Sequence, residues 1–306
     1  MSFILIKGTF HIVGKEPDGD SVRFKAKNRN LWKKLTTESG KPANIKMSNV
    51  DSTVQLRIES IDALETHFPS VKHNQPMVLA KAATVQILNL LGFKNPVFGP
   101  SNKKITAVDN DGVEGYILTR FIDNPKYGRP VSFAFAGKTT LADGKNNVFL
   151  NAALLKKSIN YKMIQSGLVY PAYYDTLFFD LRNEFTKALK QARNKKKNLW
   201  NPKSGDNSQK GFVWKLVDLE NKEVVFPKLF RRLISFHLDT KITYAKTTKN
   251  FREKYLPPLG DKVEIMSINH TTSALDFIIR VVSVNKLQLL YAPEDLKFFQ
   301  PVPKKK

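Results

Sequence analysis

The most regular alternation of apolar and polar residues in this chain lies between Val54 and Ile58, where every second residue is apolar. A period of two predicts a strand with one buried face. Arg57 lies within this strand, and two acids three residues apart, Asp62 and Glu65, follow its end. An arginine beside carboxylates most often forms a salt bridge, so this segment alone is compatible with a structural ion pair as well as with a site.

Shorter patterns of the same kind predict the other elements. Asp18-Gly19 between two alternating runs predicts a hairpin turn, with Asp20 at the start of the returning strand. The predicted strands cover residues 4–13, 22–26, 54–59, 104–108, 115–122 and 131–136. Apolar residues at helical spacing predict helices at 76–91, at 151–166 with a break near 158–160, and at 175–196. The predicted fold class is therefore α+β, with a five-stranded OB-fold barrel and inserted and appended helices.

One polar stretch divides the chain. Residues 202–210, Pro-Lys-Ser-Gly-Asp-Asn-Ser-Gln-Lys, are almost entirely polar and predict a linker. This linker would separate a barrel domain at 1–201 from a smaller α+β domain at 211–300, which mixes short strand-like runs with a helix near 228–238. Residues 301–306 form a basic tail. The role of the second domain stays open, because no motif of chemistry lies within it.

The charge balance points to an anionic partner. The chain has 50 Lys and Arg against 27 Asp and Glu, and both residues 1–200 and residues 201–306 are basic, at +15 and +8. A charge of this size favours nucleic acid first and an anionic membrane surface second, and the alternative is that it only aids solubility. The absence of cysteine excludes disulfides and thiolate chemistry, and with five scattered histidines a zinc site is not expected.

Targeting signals are not evident in the sequence. No apolar run approaches the roughly 18 residues that a membrane span needs. The N-terminus lacks the charged region and the sustained apolar run of a signal peptide. A cytoplasmic location is therefore the expectation, with non-standard export left open.

Five pieces of sequence resemble the staphylococcal nuclease (thermonuclease) family. They are Asp18-Gly19-Asp20-Ser21, Leu56-Arg57-Ile58 leading to Ile61-Asp62-Ala63-Leu64-Glu65, Lys126-Tyr127-Gly128-Arg129, Asn160 with Gly167-Leu168, and Leu199-Trp200. No single piece is specific, but all five in the order of the family are specific together. The resemblance spans residues 8–201 and implies an OB-fold nuclease domain.

The resemblance implies a metal site. Asp20 and Asp62 would be carboxylate ligands of one Ca²⁺ ion, and the main-chain carbonyl of Ala63 would be a further ligand. Mg²⁺ and Mn²⁺ are alternatives, because hard oxygen donors accept each of these ions. Asp18 would lie near the metal without binding it.

The resemblance also implies the groups that act on substrate. Glu65 would be the general base that activates the attacking water, and Arg57 and Arg129 would hold the scissile phosphate. The sequence departs from the family pattern at two places near these residues. Ala63-Leu64 replaces the usual Thr-Pro, which would loosen the loop that aims Glu65, and Pro125 stands where an acid is usual.

The implied activity is calcium-dependent, nonspecific endonuclease cleavage of DNA, RNA or both, leaving 3′-phosphate ends and using no organic cofactor. The alternative is a catalytically inactive OB-fold module that binds nucleic acid. Retention of the acids together with the arginines favours the nuclease over the binding module. Carboxylates weaken phosphate binding unless a cation neutralises them, so a module that only binds has no reason to keep them. The enzymatic hypothesis requires these acids and arginines to converge on one cation and one phosphate.

Overall fold

The computed structural model describes residues 2–69 and 72–299. Its strands are β1 Ser2–His11, β2 Ser21–Ala26, β3 Val54–Ile58, β4 Ile61–Ala63, β5 Val97–Phe98, β6 Ile105–Ala107, β7 Val113–Ile122, β8 Pro130–Ala136, β9 Val148–Phe149, β10 Val169–Pro171, β11 Tyr173–Tyr174, β12 Phe212–Val213, β13 Val263–Ile265, β14 His270–Thr272, β15 Ile279–Ser283, β16 Lys286–Leu289 and β17 Leu296–Phe298. Its α-helices are α1 Met77–Leu91, α2 Ala152–Leu155, α3 Ile159–Ser166, α4 Phe179–Asn194, α5 Leu216–Asn221, α6 Pro227–Leu238 and α7 Thr248–Asn250.

Five strands close into a barrel. β1 pairs with β2, β2 with β3, β3 with β8, β8 with β7, and β7 returns to β1. Every pairing is antiparallel except that of β3 with β8, which is parallel. This closed barrel with helices around it confirms the predicted α+β class and the OB-type architecture.

Two glycines allow β1 to serve two neighbours along the same segment. Gly8 pairs with Ala26 of β2 and with Gly115 of β7. A Cβ at Gly8 would lie 2.1 Å from the carbonyl oxygen of Lys25, and one at Gly115 would lie 2.4 Å from that of Phe135. Any larger residue would push the strands apart at these points, so the absence of a side chain is what permits this closure.

The barrel interior is filled by alternate residues of its strands. Phe10 and Phe24 lie at paired positions of β1 and β2, with ring centroids 5.0 Å apart. Each such buried aromatic or aliphatic side chain stabilises the fold by roughly 1.5–3 kcal/mol. Fully or almost fully buried members of this core include Ile6, Phe10, Val22, Phe24, Leu56, Ile58, Ile117 and Ala134.

The predicted helices form, with one shifted start. The break near 158–160 is confirmed, because α2 ends at Leu155 and α3 begins at Ile159. Helix α4 starts at Phe179 rather than at 175. The residues before it are held in extended conformation, since β11 pairs with β17 and the main-chain N–H of Asp175 donates to the carbonyl of Phe298 at 2.9 Å.

The chain divides into two compact units. The first contains Met1–Ile61 and Lys81–Gln165, and the second contains Asp62–Ala80 and Ser166–Lys306. The barrel belongs to the first unit. The segment carrying Asp62 and Glu65 is thus grouped with the C-terminal part of the chain, which the sequence-based boundaries at 201 and 211 do not anticipate.

The predicted linker at 202–210 lies inside the second unit and is anchored there. The Tyr170 hydroxyl donates to Asp206 at 2.8 Å, and the main-chain N–H of Asn207 donates to the carbonyl of Val224 at 2.8 Å. Ser208 is fully buried. This segment therefore contributes to a packed core instead of forming a free spacer.

The second unit is itself a mixture of strands and helices around an apolar core. One sheet has the order β11-β17-β13-β14 and another has the order β12-β16-β15. Helix α6 buries one face in this core, and its buried residues are Pro227, Leu229, Phe230, Leu233, Ile234 and Phe236. The basic tail at 301–306 lies outside the described residues. Among the helices that the structure describes, none is long and apolar enough to cross a bilayer.

Candidate functional site

Three of the predicted site residues lie at neighbouring strand ends of the barrel. Asp20 directly precedes β2, Arg57 is the penultimate residue of β3, and Arg129 directly precedes β8. Arg57 is in register with Ser21 of β2 and with Val131 of β8. The pairing of the strands therefore brings Asp20, Arg57 and Arg129 to one end of the barrel.

A tight turn positions Asp20. The side chain of Asp18 accepts from the main-chain N–H of Asp20 at 3.4 Å, and Asp18 forms an isolated bridge with Ser21. The carbonyl of Asp20 accepts from the N–H of Ile58 at 2.9 Å. Asp18 thus shapes the predicted hairpin turn, and the main chain of Asp20 is fixed to the end of β3.

Arg129 is anchored by an acid that the sequence analysis did not single out. Its Nε donates to Asp123 Oδ2 at 2.7 Å, and its main-chain N–H donates to Asp123 Oδ1 at 3.0 Å. The Asp123 side chain is 6% exposed and the Arg129 side chain 26%. A buried carboxylate therefore orients the guanidinium through its Nε edge.

The turn before Arg129 has its own requirements. Gly128 has φ +61°, and a Cβ there would lie 2.3 Å from the carbonyl oxygen of Asn44, so only glycine fits without rearrangement. The ring of Tyr127 lies 5.4 Å from the guanidinium carbon of Arg129. This contact provides a second restraint on Arg129 by a cation–π interaction.

Glu59 is a buried acid next to Arg57 along the chain. It is 7% exposed, and its carboxylate accepts from the Ser60 hydroxyl at 3.3 Å. Burial raises the pKa of Glu59, while the charge of Arg57 acts in the opposite direction. Glu59 is therefore an acid in a buried, low-dielectric environment, two residues after Arg57, which is predicted to bind phosphate.

Asn160 of α3 ties β3 to β8. Its Nδ2 donates to the carbonyls of Glu59 at 2.9 Å and Ser132 at 3.0 Å, and its Oδ1 accepts from the N–H of Ala134 at 3.0 Å. Asn160 is fully buried. The amide thereby satisfies three main-chain groups at the parallel pairing on which Arg57 depends.

The acids of the second unit are bound to an arginine from α6. Arg231 donates from Nη1 to Asp62 Oδ1 at 3.0 Å and from Nη2 to Asp62 Oδ2 at 2.8 Å. The same Nη1 donates to Glu65 Oε1 at 2.5 Å. The Asp62 side chain is 3% exposed and that of Glu65 15%. Ala63 lies between them and ends β4.

This arrangement fits a guanidinium rather than a metal ion. Both oxygens of Asp62 already accept hydrogen bonds from Arg231. Burial by itself would lower the pKa of Arg231, but the charges of Asp62 and Glu65 outweigh it and raise that pKa well above its usual value. Across residues 2–69 and 72–299, no group of three or more His, Asp or Glu side chains is arranged to hold a metal ion.

Comparison with known proteins identifies a family for part of the chain. Residues 98–202 match the family model described as staphylococcal nuclease homologue. No curated protein matches the chain. The match to the staphylococcal nuclease homologue family, together with the closed barrel, indicates a domain of a nuclease or nucleic-acid-binding kind.

The matched residues contain only part of the predicted site. Arg129 and Asn160 lie within 98–202, whereas Asp20, Arg57 and the segment with Asp62 and Glu65 precede it. The family match thus covers about the second half of residues 8–201, the range over which the sequence resembles the family. The roles of the individual residues stay predictions.

The sequence analysis missed Asp123, Glu59 and Arg231, and each had a weak signal. Asp123 precedes the Tyr-Gly-Arg turn, and Glu59 is the last residue of the strand predicted at 54–59. Arg231 lies in the run Leu229-Phe230-Arg231-Arg232-Leu233, where two charges interrupt apolar residues. Arginine within a buried helix needs an acidic partner, but the sequence does not say which one.

Proposed function

We propose that this chain binds DNA or RNA through its phosphates, with little sequence preference, and hydrolyses phosphodiester bonds to leave 3′-phosphate ends. One observation carries the proposal: Asp20, Arg57 and Arg129 lie at neighbouring strand ends of a closed barrel. The match of residues 98–202 to the staphylococcal nuclease homologue family supports it. A formal charge of +23 favours capture of a polyanion.

The two arginines have the chemistry that a reacting phosphate requires. A phosphodiester is an anion that repels hydroxide, so cleavage needs charge stabilisation and alignment of the attacking water. Arg57 and Arg129 carry planar, forked guanidinium groups whose geometry matches two phosphate oxygens. Glu65 is proposed as the base that takes a proton from the attacking water.

A calcium requirement remains part of the proposal on donor chemistry alone. Asp20, Asp62 and the carbonyl of Ala63 are hard oxygen donors of the kind that Ca²⁺ and Mg²⁺ prefer. A bound divalent ion would supply Lewis-acid stabilisation of the phosphate. Arg231 already donates to both carboxylate oxygens of Asp62.

A second candidate function is a catalytically inactive module that binds nucleic acid, and Arg231 is the observation that favours it. Carboxylates oppose phosphate binding unless a cation neutralises them. Arg231 provides such a cation for Asp62 and Glu65. The acids could therefore persist in a binding protein without any metal.

Digestion of plasmid DNA and of RNA, with Ca²⁺ or with EDTA, separates the two functions. The nuclease proposal expects cleavage in Ca²⁺ that Glu65→Gln abolishes and that Glu264→Gln, an acid paired with Lys297 elsewhere in the chain, leaves unchanged. A gel shift that survives EDTA, with no cleavage in Ca²⁺, would establish the binding module instead. Equal cleavage by wild type and Glu65→Gln would exclude Glu65 as the base.

A further inference from the structure

Arg231 is held more firmly than a surface ion pair. It makes three hydrogen bonds to two acids, and its side chain is 24% exposed. Its fork meets both oxygens of Asp62, the geometry in which a guanidinium binds a carboxylate best. Arg231 therefore occupies the donor atoms that a cation would need.

We propose that Arg231 is the resident counter-ion of Asp62 and Glu65, and that a divalent cation reaches these acids only by displacing it. The inference rests on the proposed function, which supplies calcium as the cation. A buried carboxylate left without a counter-charge is strongly unfavourable, so whichever cation is present must exclude the other from the same oxygens.

The neighbouring arginine provides a matched control. Arg232 also makes a two-pronged ion pair from α6, donating from Nε and Nη2 to Asp261 at 2.6 and 2.7 Å. Asp261 is a buried acid as well. Loss of Arg232 removes a two-pronged ion pair from the same helix without touching Asp62 or Glu65, and Asp261 keeps its ion pair with Lys228 at 3.3 Å.

Calorimetric titration of the full chain with Ca²⁺ tests the proposal. Arg231→Met should bind Ca²⁺ at least about tenfold more tightly than wild type, whereas Arg232→Met should match wild type. Adding Asp62→Asn to Arg231→Met should remove the gain. Arg231→Lys, which keeps the charge but lacks the fork, should show a smaller gain and serves if the Met variant does not fold.

Equal Ca²⁺ affinity in wild type, Arg231→Met and Arg231→Lys would overturn the role of Arg231. The proposed function is judged separately by binding and digestion of nucleic acid. Digestion by wild type together with unchanged Ca²⁺ affinity in the Arg231 variants refutes only the counter-ion. A gain in Ca²⁺ affinity without any nucleic-acid binding refutes the proposed function and leaves the counter-ion standing.

A different observation, at the other end of the barrel, carries a second inference. A cavity of about 630 Å³ is lined by residues of β1, β2 and β7 and by residues 137–139 after β8. Its lining includes Lys7, Lys25, Lys27, Lys138, Glu114 and Tyr116. Lys25, Lys27 and Lys138 are exposed. This surface, called the lysine groove below, therefore carries four positive charges against one negative charge.

The lysine groove is distinct from the candidate site. Ser21 at the start of β2 is in register with Arg57, whereas Ala26 at its end is in register with Gly8 in the groove. Five residues of strand separate the two ends by about 17 Å. The groove and the strand ends that carry Arg57 thus lie at opposite ends of β2.

Tyr116 adds a flat apolar surface to these charges. It is paired with Lys7, and its ring stacks on Phe135 with centroids 4.7 Å apart and planes 1° apart. Stacking on Phe135 holds the ring in place, and the ring is itself half-buried. Lysines beside a fixed aromatic ring are the combination by which proteins hold single-stranded nucleic acid.

We propose that the lysine groove binds a single strand of nucleic acid, with the lysines on phosphates and Tyr116 against a base. The inference deepens the proposed function by giving the substrate a second contact beyond the reacting phosphate. Charge complementarity identifies the occupant as a polyanion, and the tyrosine favours a strand with unpaired bases over a membrane surface.

Fluorescence anisotropy with a labelled single-stranded oligonucleotide tests the groove. Lys25→Gln, Lys27→Gln and Lys138→Gln together should weaken binding roughly tenfold and reduce the salt slope by about 2, at about 0.7 per phosphate contact. A control triple at exposed lysines elsewhere, Lys94→Gln, Lys156→Gln and Lys157→Gln, should change both much less. Tyr116→Leu should weaken single-stranded binding more than duplex binding, and Tyr116→Phe should not.

Equal affinity and equal salt slope in the groove triple and the control triple would refute the groove. Loss of binding to phosphatidylserine vesicles in the groove triple, with oligonucleotide binding intact, would also refute it and assign the surface to a membrane. No oligonucleotide binding by wild type would refute the proposed function itself. The groove triple should retain the single-turnover cleavage rate at saturating substrate, because none of its lysines lies at the candidate site.

Discussion

At the scale of single residues, Arg129 and Arg231 each form hydrogen-bonded ion pairs with particular carboxylates. Arg129 donates to Asp123, and Arg231 donates to Asp62 and Glu65. The sequence raised a salt bridge with Arg57 as one interpretation of these acids, whereas the structure pairs them with Arg231. The sequence could not supply this partner, because Arg231 lies 169 residues beyond Asp62 and ion pairs of that separation leave no local pattern.

Replacing Glu59 should change how stability depends on pH. Burial raises the pKa of Glu59 in the folded chain, so its contribution to folding is fully present at low pH and is lost as the pH rises through that raised pKa. Glu59→Gln should therefore gain stability relative to wild type as the pH rises above the ordinary pKa of a glutamate. Urea unfolding at several pH values measures this difference. Glu114→Gln, at an exposed acid of the same unit, is the control substitution. A trend of opposite sign for Glu59→Gln would contradict the burial effect.

Arg129 should be required for its fork rather than for its charge alone. Arg129→Lys keeps a positive charge but loses the planar donors, so single-turnover cleavage should fall on the order of 10²–10³ while oligonucleotide affinity changes little. Cleavage and anisotropy measured on the same preparation separate the two effects. An affinity loss as large as the rate loss would mean that Arg129 serves general phosphate binding only.

At the scale of elements, the alternation of apolar and polar residues predicted the barrel strands well. The pairing of β2, β3 and β8 then brings the candidate site residues to one end of the barrel. Each of the five barrel strands forms within three residues of its predicted bounds. The parallel pairing of β3 with β8 was not predicted, because period-two patterns carry no information about strand direction. The late start of α4 was not predictable, since it depends on the pairing of β11 with β17 from the distant C-terminal part.

Asn160 should be essential to the β3–β8 pairing. Asn160→Ala would leave two carbonyls and one N–H buried without their amide partner, at a cost of about 3 kcal/mol in the free energy of unfolding. Urea unfolding measures this cost. Asn89→Ala on the exposed face of α1 should change stability by less than about 0.5 kcal/mol. A similarly small effect for Asn160→Ala would show that water replaces the amide.

At the scale of the whole molecule, composition indicated the partner class but not the division of the chain. The basic excess is spread over both halves and agrees with a domain of the nuclease or nucleic-acid-binding kind. The contiguous domains predicted at 1–201 and 211–300 differ from the observed units, in which Asp62–Ala80 is grouped with Ser166–Lys306. Local composition marks polar stretches and cannot reveal which segments share a core, as the buried Ser208 within the predicted linker illustrates.

Binding of nucleic acid by the full chain should be strongly salt-dependent and weakly sequence-dependent. Phosphate contacts by lysine and arginine release counterions, so log Kd should rise linearly with log salt, with a slope of about 0.7 per contact on single strands. Anisotropy titrations between 50 and 300 mM NaCl with two unrelated sequences of equal length measure both properties. A flat salt response would show that the charge serves solubility alone.

The central claim is that a phosphodiester is cleaved at the barrel end that carries Arg57. The most direct test is the rate at which wild type and Arg57→Ala cleave one labelled oligonucleotide in Ca²⁺, with both proteins at saturating concentration. We expect cleavage by wild type and a rate that is on the order of 10²–10³-fold lower for Arg57→Ala. Equal rates for the two proteins, or no cleavage by wild type while the oligonucleotide is bound, would contradict it.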